Sequence, residues 1–349
     1  MENGQDLKTA LRERIENRVK NISFETTGEG LFFHKEKEVD SNREFVKSLF
    51  SDETRPTAFD ALYDQAIGGS GSEDGNMCNA ISSSLFAFLF FSRVSNDNPI
   101  IINGTKYTHV CFEFKNRTLS GKSDFAPSNI DVVLASDGYI DILFIESKFG
   151  EYFYSLTKKY DKLSVQYNDE ENGPTALIIE RLLQDKQSFL KFIDKDKQLL
   201  FLDEADKHYF EGIKQMLTHI SGIFNFKVKR FCSTNHVHSY DISKKAFEDA
   251  SQNADSEKNE LTVALQEIVF DLDQGFGLGK NELGDYMKLH NCLQNCLQKA
   301  RKEGLDLGFE VKPLITYQDF VDLKENEEYF KSLPPIIQAY FNKQEPKAD

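Results

Sequence analysis

Apolar positions along this chain recur with two different periods, and the switches between them mark out its elements. Residues 5–22 place Leu7, Leu11, Ile15 and Val19 on one face of a helix. The stretch "FVKSLFSDETRPTAFDALYDQA" carries further helix, broken near Pro56. "IGGSGSEDGNM" is a Gly/Ser-rich loop that leads into an apolar helix over 77–93. Residues 107–115, "YTHVCFEFK", alternate as a strand does, and "NRTLSGKSDFAPS" after them is a loop. Two β-rich apolar runs follow, 129–136 and 139–148, and the Ser136-Asp137-Gly138 turn between them predicts a hairpin.

After Gly150 the pattern turns helical and charged. Residues 176–203 read as one helix and 205–223 as another, while 245–260 is a polar surface helix or loop. Helix is again expected over 261–270 and 281–303. "GFEVKPLITYQDF" supplies a strand at 309–316, "SLPPII" opens a last short helix, and "NKQEPKAD" reads as a frayed end. With no internal repeat and no linker, the pattern describes a single α/β domain over 1–349. Its core spans 70–225 plus the strand 309–316, with helical additions at 1–69 and 245–303.

Composition narrows the class of protein. The chain is 40% hydrophobic with 30 Phe, so a sizeable core can form. No apolar run approaches the roughly 18 residues of a membrane span, and the N-terminal stretch lacks a signal peptide's apolar region. Five scattered cysteines fit a reducing compartment, so a cytoplasmic protein is expected. Cys292, Cys296 and His290 share too few ligands for a metal and read as packing; Cys232, His236 and His238 read as a loop. "GFGLGK" fails as a phosphate-binding loop, because Gln274 and Asn281 stand where Gly and Ser/Thr belong.

The anomaly is "IDVVLASDGYIDILFIESKF", two apolar runs that carry acids where a buried strand should not want them. With the turn centred on Asp137 and Gly138, Asp131 lies roughly across from residue 144, and Glu146 is its diagonal neighbour at about 7–8 Å. Glu146 and Lys148 project from one strand face. Asp137 is explained by the turn, and Asp141 falls on the other face from Glu146. Burying such charges uncompensated costs several kcal/mol. A divalent cation offsets that cost, and oxygen-only ligands suit Mg2+.

Asp131 followed by Glu146-Ser147-Lys148 resembles the D…(D/E)-x-K signature of the PD-(D/E)XK nuclease superfamily. "APSNIDVVLASDGYIDILFIESKFGEYF" also resembles its bacterial restriction-endonuclease-like members. The name-giving Pro does not directly precede Asp131; Pro127 stands four residues before it. The resemblance implies a restriction-endonuclease-like α/β fold, a mixed central sheet flanked by helices with further helical decoration. Its core order of helix, three strands, helix and strand falls on 77–93, 107–115, 129–136, 139–148, 205–223 and 309–316. It implies that Asp131, Glu146 and the Ser147 carbonyl hold Mg2+, for which Mn2+ can substitute, and that Lys148 positions the attacking water. Glu73 or Glu113 is the candidate further acid, and Gln215 a candidate polar contact from the helix after the E-x-K strand. The implied reaction is phosphodiester hydrolysis of double-stranded DNA by an endonuclease, as a homodimer by analogy. A nuclease fold that binds nucleic acid or a protein partner without catalysis is the alternative.

The net charge of −15 argues against a nucleic-acid-coating protein but not against a local site. Over 106–162, eight basic residues match eight acids, so the acidity lies elsewhere. Lys115, Arg117, Lys122, Lys158 and Lys159 are the candidate phosphate contacts there.

Overall fold

The computed structural model describes residues 4–19, 39–68, 73–116, 128–154, 163–164, 174–184, 190–194, 199–202, 210–227 and 262–341. The 245–260 segment, Cys232, His236, His238 and "NKQEPKAD" lie outside the described residues. Helix Gly4–Val19 buries the face read from the sequence: Leu7, Leu11, Ile15 and Val19 are all in the core. Helices Val39–Ser48 and Phe59–Ala66 flank the break near Pro56. A one-turn helix, Glu73–Asn76, interrupts the expected loop. The apolar helix is shorter than expected, Ser83–Phe91, because the Ser82 hydroxyl accepts from Leu85 N and fixes its start. Leu85 to Phe91 are all buried, as a helix apolar all round requires.

The strands follow in chain order. β1 (Ile100–Ile102) and β2 (Thr105–Tyr107) form a hairpin on Asn103-Gly104, where both residues take positive φ, 52° and 78°. β3 (His109–Asn116), β4 (Ser128–Ala135) and β5 (Asp141–Lys148) make an antiparallel meander. β6 (Leu163–Ser164), β7 (Leu190–Asp194) and β8 (Leu199–Leu202) form a small separate sheet. β9 (Thr262–Val269) runs parallel to β5, and β10 (Glu310–Val311) and β11 (Ile315–Thr316) run parallel to β9. The result is a six-stranded mixed sheet, ordered β10-β9-β5-β4-β3 with β11 also on β9, flanked by helices.

Four expectations need correction. Residues 261–270 are not helix but β9, the strand beside β5, so the core extends beyond 225 and the 245–303 addition is only partly helical. β9 is buried from Val263 to Val269; a parallel strand covered on both faces loses the alternation that identifies strands. Among the described residues of 176–203 helix is confined to Pro174–Gln184, and β7 and β8 follow it, their runs long enough for strands and too short for helices. The 309–316 strand is split in two around Pro313, which has no N–H for the ladder, and its carbonyl accepts from Gln266 Nε2 at 2.9 Å. The β4–β5 link spans 136–140 with a single 3-10 turn at Asp137–Tyr139, which places Val133, not Asp131, opposite Phe144.

Neighbouring residues on a strand face opposite sides of the sheet. Ser147 shares a hydroxyl hydrogen bond of 2.8 Å with Tyr317, which packs in a layer of Phe86, Phe90, Phe91 and Phe320. Glu146 meets helix Phe210–Lys227 on the other side. Two glycines let that helix approach closely. A Cβ on Gly212 would lie 1.8 Å from the Tyr286 hydroxyl on helix Lys280–Lys302, and one on Gly222 would lie 2.8 Å from Asn116 Cβ on β3. Arg18 ties the first helix to the last, Pro335–Phe341: Nη1 donates to the carbonyls of Gly275 and Tyr340, and the guanidinium lies 4.6 Å over the Phe276 ring. No helix among the described residues is long and apolar enough to cross a membrane.

Phe88 is fully buried and packs edge-on against Phe50, Phe59 and Tyr63 and tilted against Phe112. Phe88→Ala is expected to cost about 3–5 kcal/mol, whereas Leu177→Ala, at an exposed site, should change stability by about 0.5 kcal/mol or less. Urea denaturation of both variants checks this; equal midpoints would contradict the packing described.

Candidate active site

The site begins with the apolar run of β5, which continues past its last apolar residue into Glu146, Ser147 and Lys148 without leaving the interior. Glu146 is 1% exposed and Lys148 8%. On β9, Glu267 pairs in register with Glu146 and is 0% exposed. The β4–β5 ladder runs to Val132↔Ile145, and one step further sets Asp131 opposite Glu146. On β3, Glu113 falls between the pairs Phe112↔Val132 and Phe114↔Ile130, opposite Asp131. Four acidic residues therefore stand in one transverse row over four adjacent strands. Glu113 is buried and adopts φ 51°, a left-handed conformation that costs a non-glycine residue about 1 kcal/mol or more.

The ladder changes character at this row. Ser147 N–H donates to Asp131 Oδ2 at 2.7 Å, so a side chain takes the place of a backbone acceptor between β4 and β5. A strand residue sends its N–H and C=O to the same side, so the Ser147 carbonyl also faces the Asp131 side of β5. Lys148 Nζ donates to Glu146 Oε1 at 2.6 Å. His219 Nε2 meets Glu146 Oε2 at 2.7 Å, and its Nδ1 bonds the Ser128 hydroxyl. Glu267 Oε1 accepts from the Tyr286 hydroxyl, and Oε2 lies 3.1 Å from His290 Nε2. The Glu151 carboxylate caps the end of β5, accepting from Phe149 N at 2.9 Å and Gly150 N at 3.0 Å.

This packing separates the two central carboxyls. Burial alone raises the Glu146 pKa, but Lys148 and His219 outweigh it and hold the group well below the usual carboxylate range, ionised. Asp131 is half-buried by surface, yet loss of hydration among its close neighbours, then the Glu146 charge, push it well above that range. For Lys148 burial opposes the charge; Glu146, Glu151, Asp131 and Glu267 overrule it and raise the group. Pairs of acids pushed apart in this way are characteristic of acid–base sites.

Of the residues read from the sequence, Asp131, Glu146, Ser147 and Lys148 come together, and Glu113 stands opposite Asp131 by strand register on β3. Glu73 lies in the one-turn helix, but its side chain is outside the described residues; its neighbour Asp74 is committed to Tyr63 and Asn42, at 3.0 and 2.7 Å. Gln215 is half-buried one helical turn before His219, on the same helix face. Lys115 is half-buried on β3 opposite Asn129. Arg117, Lys122, Lys158 and Lys159 lie outside the described residues. Cys296 is packed in the core as read, whereas His290 is not mere packing, since it faces the buried Glu267. Missed altogether were His219, Ser128, Glu267, Tyr286 and Glu151. His219 was findable at i+4 from Gln215, and Glu267 was hidden by the helix assigned to β9.

A cavity of about 680 Å³, lined by Lys106, Thr108, Asp137 and Asp141 among others, lies at the opposite end of β5 and shares no residue with the acid row. Among the described residues no three His, Cys, Asp or Glu side chains form a metal cage. Mg2+ needs none: one or two carboxylates and several waters suffice, and the Asp131 and Glu146 carboxylates with the Ser147 carbonyl are an oxygen-only set of that kind. None of the protein-family models, curated proteins or solved structures compared with this chain matches it.

Removing one partner of the Lys148–Glu146 pair should cost about 3–5 kcal/mol, since it strands a buried charge, and removing both should recover part of the loss. Denaturation of Lys148→Met, Glu146→Gln and the double variant forms the test. Single-variant losses within about 0.5 kcal/mol, the range of ordinary surface changes, would show that the pair is solvated in solution.

Proposed function

We propose that this chain is a Mg2+-dependent nuclease of the PD-(D/E)XK type, an endonuclease of restriction or defence type that hydrolyses phosphodiester bonds of double-stranded DNA in the cytoplasm. The observation that carries the reading is the juxtaposition of Asp131 and Glu146 across β4 and β5, with Lys148 buried against Glu146. The element order adds support. Helix Ser83–Phe91, β3, β4, β5, helix Phe210–Lys227 and β9 run in the superfamily's order, with β9 taking the place first given to 309–316.

In this reading Asp131, Glu146 and the Ser147 carbonyl hold Mg2+ or Mn2+. A divalent ion held there would supply Lewis-acid chemistry, lowering the pKa of a bound water and offsetting charge on the reacting phosphate. Asp131, whose surroundings favour the protonated form, would bind such an ion as the carboxylate, its proton passing to solvent. Lys148 leaves Glu146 Oε1 to orient the water and to stabilise negative charge on the phosphate oxygens. Glu113, opposite Asp131, is the further acid placed nearest the pair by register, and Glu73 is the alternative. Gln215, Lys115, Arg117, Lys122, Lys158 and Lys159 are the proposed substrate contacts, and a homodimer would cut both strands.

One observation favours a second reading: both Glu146 oxygens are already satisfied, by Lys148 and His219. A carboxylate already answered within the protein suits a nuclease fold that binds nucleic acid or a protein without cutting it. Plasmid cleavage separates the two. The nuclease reading expects cutting with Mg2+ or Mn2+, none with EDTA, and at least a roughly 100-fold loss in Lys148→Ala, in line with removal of a charge-stabilising group. Cutting indifferent to EDTA and to the substitution rejects the mechanism, and DNA binding without cutting supports the second reading.

A further inference from the structure

Glu146 is gripped asymmetrically, and the asymmetry assigns different work to its two oxygens. Oε1 faces Lys148, a flexible side chain with an ammonium that can exchange partners. Oε2 faces His219, an imidazole that is 2% exposed and anchored at its far nitrogen by Ser128, itself buried. A carboxylate only accepts, so His219 Nε2 carries the proton of that bond. In the neutral ring Nδ1 is then the acceptor, and the Ser128 hydroxyl donates to it. Helix Phe210–Lys227 and β4 thus hold one oxygen of a β5 carboxylate through a buried chain, Ser128 to His219 to Glu146. The chain has the residue types of a serine-hydrolase triad, but its hydroxyl is buried in a protein layer, and the cavity at the far end of β5 does not reach it.

We propose that His219 is a positioning residue that locks Glu146 Oε2, leaving Oε1 as the oxygen that binds a divalent cation, and that Ser128 fixes the His219 tautomer. The inference rests on the nuclease reading. Its consequence is single-oxygen ligation by Glu146, with the second oxygen withheld by protein. Partners that orient a metal ligand in this way contribute roughly 10–100-fold to metal affinity.

The test is Mn2+ binding by the full chain, followed by electron paramagnetic resonance, with thermal unfolding in EDTA as a metal-free control. His219→Ala should weaken Mn2+ binding roughly 10–100-fold. His219→Gln, whose side-chain NH2 reaches the same position as Nε2, should recover most of that loss. Ser128→Ala should fall between them, since it removes the tautomer's anchor and leaves the imidazole. If the wild type binds Mn2+ and His219→Ala binds it equally, the nuclease reading stands and the positioning role is overturned. Equal losses in His219→Gln and His219→Ala overturn it too, because they make the effect one of packing. If the wild type binds no Mn2+ and cuts no DNA, the nuclease reading itself fails and the oxygen assignment falls with it. Should His219→Ala not fold, the comparison of Ser128→Ala with His219→Gln carries the same decision.

Discussion

A charge taken out of water must be answered inside the protein, and the Glu146–Lys148 pair imposes that demand on everything around it. The ammonium answers one carboxylate oxygen, and His219 answers the other. Glu267, on the next strand, repeats the problem: the Tyr286 hydroxyl donates to one oxygen, while the other lies 3.1 Å from His290 Nε2 without a hydrogen bond between them. Each of the two large helices on this side of the sheet therefore brings a histidine up to a strand carboxylate, hydrogen-bonded at His219 and only close at His290. The glycine at 222 serves the same side of the sheet, because a Cβ there would meet Asn116 Cβ on β3 and press the helix that carries His219 away from the strands.

The other side of the sheet is made of different material. Ser83–Phe91 and the segments around Tyr317 and Tyr340 build an aromatic layer that needs almost no polar satisfaction. Alternation along β5 joins the two chemistries within three residues: Glu146 and Lys148 face the polar side, Ser147 the aromatic one. The sheet thus acts as a partition, with hydration cost concentrated on one face and packing energy gathered on the other.

Much of this was legible in the sequence, and the reasons differ by element. The first helix is legible by spacing, and the charged residues of the hairpin by contradiction, since Asp131, Glu146 and Lys148 stand in runs that are otherwise apolar. The same contradiction existed at Glu267, but it counts only once "TVALQEIV" is known to be a strand. A strand covered on both faces has no period of its own, so its assignment waits on the neighbours that cover it. The two-residue shift in the β4–β5 pairing had a similar origin. The turn was taken as two residues, and the chain spends five on it, with a 3-10 turn inside. His219 and Ser128 are partners only in three dimensions, 91 positions apart, and no local pattern joins them.

The hydroxyl bond between Ser147 and Tyr317 crosses that partition. Because Ser147 lies between Glu146 and Lys148, the end of β5 that carries the tripeptide is tied to a ring wedged among phenylalanines. Mutational tolerance will therefore not divide this protein into a scaffold and a site. A change in the Phe-rich layer is felt at the tripeptide through one hydrogen bond, although among the described residues no ring of that layer touches a carboxylate.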